Sequence, residues 1–145
     1  MDTSLSILQQ PSRMGAVRLL QNAGLPASDV TDEHLGHFFY IGSATEPGAM
    51  VGIELYGLDA LLRSLVVAPG LRSTGVGTRL VEHVESHART HGVRTIYLLT
   101  TTAEKFFQSR GYVATSRDSA PSSIRATTEF AGLCPASSAF LSKSL

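Results

Sequence analysis

The chain has 145 residues, is 43% hydrophobic and 17% charged, and balances twelve Lys and Arg against twelve Asp and Glu for a net charge of zero. That is enough for a proper core in a single domain over residues 1–145, and it argues against disorder. A neutral chain without a basic run offers nucleic acid no electrostatic handle, no apolar run is long enough to span a bilayer, and the first residues lack a charged-then-apolar export leader. The single cysteine, Cys134, excludes an internal disulfide and suits a reducing, cytoplasmic setting.

Ser4 to Gln9 reads as a first strand, with Leu5, Ile7 and Gln9 on one face. Ser12 is an N-cap for an amphipathic helix over residues 13–23 carrying Met14, Val17 and Leu20, closed by Gly24 and Pro26. Thr31 opens a short second helix with Leu35 and Phe38 inward. Phe38 to Gly42 is a strand, Ser43 to Gly48 a turn, and Met50 to Tyr56 a strand that pairs back as a hairpin. After a turn at Gly57, Ala60 to Val67 is the next strand. Period two places Arg63 with Leu61 and Leu65, opposite Leu62 and Ser64.

Pro69 ends that strand, because proline donates no backbone N–H to a ladder. A loop with Gly70, Gly75 and Gly77 follows, then a helix to Gly92. Val76, Leu80, Val81, Val84 and Ala88 share its inner face, leaving Arg79, Glu82, Glu85, Ser86 and Arg89 mostly outside. The backbone N–H groups at a helix start lie at its positive end and suit a phosphate. Lys-Ser/Thr does not follow Gly77, and Leu80 stands where a dinucleotide fingerprint needs its third glycine. What fits is R-x-x-G-x-G, from Arg72 to Gly77, after a V-x-P strand end; the competing reading is an ordinary strand–loop–helix with capping glycines.

Beyond this helix, Val93 to Thr100 is a strand and Thr101-x-x-Glu104 a capping box for a helix that holds Phe106 and Phe107 and stops near Gly111. Tyr112 to Ala114 begins a strand, 116–123 is polar, 124–133 gives one or two helical turns, and Ser138 to Leu145 is a last strand. His83, His87 and His91 recur every four residues on the long helix, which resembles a metal stripe, but without a nearby carboxylate motif a solvated face is the better reading and no metal site is expected. His34 and His37, which flank the short second helix, read best as surface residues.

The loop, the strand and helix around it, and Ala103-Glu-Lys-Phe106-Phe107-Gln-Ser-Arg-Gly111-Tyr112 resemble the GNAT N-acetyltransferase superfamily. The element order β-α-α-β-β-β-α-β-α-β-(α)-β resembles it too. The resemblance covers nearly the whole chain and is most specific over 64–112. It implies an α+β fold, a mixed central sheet splayed at the acetyl-CoA site with helices on both faces. It implies acetyl-CoA as cosubstrate, held by Leu65, Val66, Val67, Arg72, Ser73, Thr74, Gly75, Val76, Gly77, Thr78 and Phe107. A homodimer through exposed final strands is implied as well.

Relatives often carry a tyrosine, as acid for the departing thiolate, where this chain has Phe107. Phe107 then packs against coenzyme or core, and catalysis leans on proximity or a water. Thr100, Thr101, Thr102 and Tyr97 are nearby hydroxyls and read first as structural or capping groups. Glu54, an acid in a central strand, is either the catalytic base or an outward or Arg63-paired carboxylate.

Three segments together resemble a narrower group: 61–69, 97–107 and 124–137, the last running Ile124-Arg125-Ala-Thr-x-Glu129-Phe-x-x-Leu-Cys134-Pro135-x-Ser137. These are small acetyltransferases encoded with arsenic-resistance genes, related to the acetyltransferase domain of N-acetylglutamate synthases. The resemblance implies acetylation of the α-amine of glutamate-like amino acids such as arsinothricin and phosphinothricin. Two anionic ends on such a substrate call for cations or hydroxyls, and Arg63, Arg125, Thr100 and Thr101 are the candidates. For Arg125 a surface place on a short helix is the alternative, and Cys134 reads as a buried core thiol. Other acceptors (glutamate, an aminoglycoside, a peptide N-terminus) and a non-catalytic coenzyme A-binding module stay open, the last because of Phe107.

Overall fold

The computed structural model describes residues 6–145. The described residues form a seven-stranded mixed sheet in the order β1-β2-β3-β4-β5-β7-β6. Its strands are β1 (Leu8–Gln9), β2 (Phe38–Gly42), β3 (Pro47–Tyr56), β4 (Asp59–Val67), β5 (Thr95–Thr100), β6 (Val113–Ala114) and β7 (Ala139–Ser144). The helices are α1 (Arg13–Asn22), α2 (Asp32–Leu35), α3 (Val76–Thr90), α4 (Glu104–Ser109) and α5 (Ser122–Arg125). Pairing is antiparallel from β1 to β3, parallel between β4 and β5, and antiparallel again from β5 through β7 to β6. Two compact units divide the chain: residues 1–54 with 63–84, and 55–62 with 85–145.

In the first unit, Ser12 caps α1 by accepting the Gly15 N–H at 3.0 Å. A Cβ on Gly15 would stand 2.6 Å from the Ala44 carbonyl, so only glycine lets α1 approach the β2–β3 turn. Thr31 and His34 form a reciprocal cap for α2: Thr31 Oγ1 accepts the His34 N–H, and His34 Nδ1 accepts the Thr31 N–H. Ala16, Leu20, Val30, Leu35, Phe38, Tyr40, Met50 and Val66 close into a core. The Phe38 ring lies over its register partner Gly52, where a Cβ would come within 2.2 Å of it.

In the second unit, β5 and β7 pair from Thr95↔Ser144 to Thr100↔Ala139. Leu61, Ala120, Ile124 and Phe140 form its core, flanked by Tyr97, Leu99 and Phe130. The Tyr97 and Phe140 rings stack at 5.6 Å.

Several elements differ from their sequence-based expectation. The first strand is two residues long, and positions 4 and 5 of the expected one lie outside the described residues. β3 starts at Pro47, three residues early, because a proline is tolerated as the first residue of a strand. The regular pleat expected through Arg63 and Leu65 breaks at Ser64, whose backbone is left-handed at φ 59°. No capping box starts α4: its N-cap is Ala103, and the Thr100 hydroxyl accepts the Ala103 N–H at 3.0 Å. Glu85 is not on an outer face but buried, 5% exposed. Cys134 is only partly buried, its Sγ 3.8 Å from Glu129 Oε1.

Candidate active site

The loop from β4 to α3 is built from short local bonds. A single 3₁₀ turn, Pro69–Leu71, follows Ala68, whose N–H donates to the Gly48 carbonyl at 2.8 Å. Arg72 lies outside the turn, and its Nε donates back to the Val67 carbonyl at 3.2 Å. The Thr74 hydroxyl donates to the Leu71 carbonyl. Ser73 and Gly75 take left-handed backbone, φ 66° and 81°. That turn aims the chain into α3, whose first intrahelical bond runs from the Arg79 N–H to the Gly75 carbonyl. The N–H groups before it lie at the positive end of a fifteen-residue helix, and Arg72 is exposed. Such an arrangement can hold a pyrophosphate. Of the other residues expected at the coenzyme, Val66 and Val76 are buried, while Leu65, Val67, Gly77 and Thr78 are half-buried.

Phe107, 4% exposed, sits in α4 with its ring edge-on to Phe106 at 5.2 Å and Tyr112 at 5.4 Å. The aromatic layer continues to a polar node around Glu85, which helical periodicity assigns to the outer face. The Tyr112 hydroxyl donates to Glu85 Oε2 at 2.9 Å. Lys143 Nζ binds both Glu85 oxygens, at 3.2 and 3.1 Å, and the Arg110 carbonyl at 2.8 Å. Burial and the adjacent Glu85 charge push the Tyr112 phenol well above its ordinary range. The signal that could have found this node is Tyr112 itself: a phenol at a core position needs a partner.

Arg63 and Glu54 come together as an ion pair. Arg63 Nη1 donates to Glu54 Oε2 at 2.8 Å. The same guanidinium grips Asp29 with two bonds, Nη1 to Oδ2 at 2.6 Å and Nη2 to Oδ1 at 2.7 Å. Its Nε donates to Ser64 Oγ at 3.0 Å, and its carbon lies 5.8 Å from the Phe38 ring centroid. His34 Nε2 adds a contact to Glu54 Oε2 at 3.7 Å. The Arg63 side chain is wholly buried, and those of Asp29 and Glu54 nearly so. Nothing in the sequence singled out Asp29, which lies in the irregular segment between α1 and α2.

Of the remaining expected substrate groups, Arg125 and Thr100 bond to backbone of the fold. Arg125 Nε donates to the Ala120 carbonyl at 3.0 Å, and its Nη2 to the Asp118 carbonyl. Thr100 caps the turn into α4, and Thr101 is exposed. His83 packs edge-on to Phe39, ring centroids 4.7 Å apart, and burial lowers its pKa. Among the described residues no three His, Cys, Asp or Glu side chains group to hold a metal ion, and no helix is long and apolar enough to cross a membrane.

Comparison with known proteins fits this geometry. The amino-acid acetyltransferase of Ralstonia nicotianae is 43% identical over 61 residues, 42% of this chain but 14% of that protein. The amino-acid acetyltransferase of Pseudomonas syringae pv. syringae is 39% identical over the same length, again 14% of its chain. This chain therefore spans about a seventh of the curated relatives' length. Among solved structures, N-acetylglutamate synthase from Neisseria gonorrhoeae, complexed with coenzyme A and N-acetyl-glutamate, has a TM-score of 0.79 at 22% identity, covering 97% of this chain and 35% of that one. An acetyltransferase of the GNAT family from Staphylococcus aureus has a TM-score of 0.72 at 17% identity, covering 97% of this chain and 98% of that one. Residues 34–114, more than half the chain, match the acetyltransferase (GNAT) domain family, and the chain belongs to it.

Proposed function

We propose that the chain is an acetyl-CoA-dependent N-acetyltransferase acting on the α-amine of a small amino acid. The loop carries this reading: Arg72 to Gly77 turns through a left-handed Gly75 onto the positive end of α3. Arg72 and the backbone N–H groups of Gly75, Val76 and Gly77 hold the pyrophosphate, with Ser73, Thr74 and Thr78 beside them. The β4 segment Leu65 to Val67 pairs with the pantetheine arm.

For transfer, the amine nitrogen first gives up a proton, since an ammonium has no lone pair. Glu54 takes it, directly or through a water, and Arg63 holds that carboxylate in place. The amine then attacks the thioester carbonyl, whose oxygen is polarised by a backbone N–H at the end of β4. The tetrahedral adduct gives up the second nitrogen proton to solvent and the C–S bond breaks, and the thiolate takes a solvent proton, because Phe107 has none to give.

The acceptor we favour is glutamate-like, of the arsinothricin and phosphinothricin kind, making the protein a detoxifying enzyme encoded for arsenic resistance. The segments 61–69, 97–107 and 124–137 support that reading by their resemblance. The local likeness to amino-acid acetyltransferases supports the broader one. Thiol release from acetyl-CoA tests both, run with phosphinothricin, arsinothricin, glutamate, an aminoglycoside and a short peptide. Turnover confined to the first two upholds the full reading, and turnover of glutamate alone removes the detoxifying role. Turnover only of the aminoglycoside or the peptide removes the amino-acid acceptor.

A further inference from the structure

The Arg63 guanidinium serves two carboxylates, Asp29 and Glu54, within 2.6–2.8 Å. Two carboxylates thus share one guanidinium, with His34 Nε2 a further 3.7 Å from Glu54 Oε2. A second buried carboxylate on one guanidinium is weak evidence for a stabilising role, so stability alone does not account for Asp29. The two acids also differ in how they are held. Glu54 stands in the ten-residue strand β3 of the sheet. Asp29 stands between α1 and α2, where the local backbone bonds are Leu25 N–H to Leu20 O and Val30 N–H to Ala27 O. Yet Asp29 takes the better position, the two-pronged grip that guanidinium otherwise gives a free carboxylate.

We infer that Asp29 is a place-holder. It occupies, from within the chain, an oxyanion site on Arg63 that the acceptor's carboxylate or equivalent anionic head takes in its turn. This deepens the amino-acid acceptor reading and rests on it. The exchange swaps one carboxylate for another on the same nitrogens, so the guanidinium is never left bare. Val30, 1% exposed, anchors the backbone beside Asp29, so the carboxylate leaves by side-chain rotation and the segment stays folded. The site selects acceptors that carry an anion, because an amine without one cannot dislodge Asp29.

The test is the affinity of glutarate for the full chain, by titration calorimetry, in the wild-type, Asp29→Asn and Asp29→Ala proteins. Glutarate has both carboxylates of a glutamate-like acceptor and no amine, so its binding needs no acetyl transfer. Asp29→Ala keeps Arg63 paired with Glu54 and is expected to fold, as circular dichroism will verify. Should it not, the Asn variant carries the comparison. Removing the place-holder is expected to tighten glutarate binding at least tenfold, with the neutral Asn side chain intermediate. A fall in KM for the anionic acceptor, larger than any change in kcat, is expected alongside. Equal, weaker or absent glutarate binding in the folded variants overturns the inference. Tighter glutarate binding without acetylation of any amino acid upholds the site and sinks the enzyme reading, so the two failures are distinct.

Discussion

Tyr112 shows how one atom reorganises its surroundings. Its hydroxyl donates to Glu85, and Lys143 completes the charge pair. Tyr112→Phe removes the phenolic donor from a buried carboxylate and is expected to lower unfolding free energy by about 1–3 kcal/mol in urea. Lys143→Met leaves the carboxylate without its cation, for a loss of about 2 kcal/mol by the same measurement. The phenol gives a pH signature as well. Its pKa is raised in the folded state, so below about pH 10 both folded and unfolded chains keep the proton. Above that the unfolded chain releases it first, and stability falls as pH rises. The wild type is therefore expected to lose stability between pH 10 and 11 faster than Tyr112→Phe in paired urea titrations, whereas parallel curves would mean Glu85 and burial do not hold the proton.

Two elements make demands that only glycine meets. On β3, Gly52 faces the Phe38 ring, and a methyl group there stands 2.2 Å from it. Gly52→Ala is expected to cost about 1–3 kcal/mol through overpacking. An unchanged urea midpoint would show that the ring moves aside freely. At the start of α3, Gly75 holds φ 81° with no atom near its missing Cβ, so a substitution there acts through backbone strain and not through collision. Gly75→Val costs about 1–2 kcal/mol of local strain. The loop is expected to shift in relief, weakening acetyl-CoA binding by roughly tenfold.

At the scale of the molecule, the order of elements was legible because each carries its own signal. Ser12 and Thr31 announce helix starts, Gly24 and Gly92 helix ends, and β-branched runs mark the strands. The turn into α3 was legible because its signals are local: six consecutive residues and the helix after them. What sequence did not reveal depends on distant partners. Asp29 meets Arg63 across 34 positions, and Glu85 meets Lys143 across 58. Helical periodicity assigns Glu85 to the outside because it scores polarity and cannot see a phenol and an ammonium arriving from elsewhere. The start of α4 differs for a similar reason: the Thr101-x-x-Glu104 pattern suits a capping box, but the course of β5 brings the Thr100 hydroxyl to the Ala103 N–H and moves the N-cap to Ala103.

The central claim is that the chain moves an acetyl group from coenzyme A to the α-amine of a small amino acid. The most direct measurement supplies acetyl-CoA labelled with ¹³C in the acetyl group to an equimolar mixture of phosphinothricin, glutamate, lysine and an aminoglycoside, and identifies the labelled products by mass spectrometry and NMR. We predict label on the α-nitrogen of phosphinothricin, lost when Arg72→Ala and Gly75→Val are combined. Label confined to the lysine side-chain amine or the aminoglycoside, or no labelled product from a protein that binds acetyl-CoA, would contradict it.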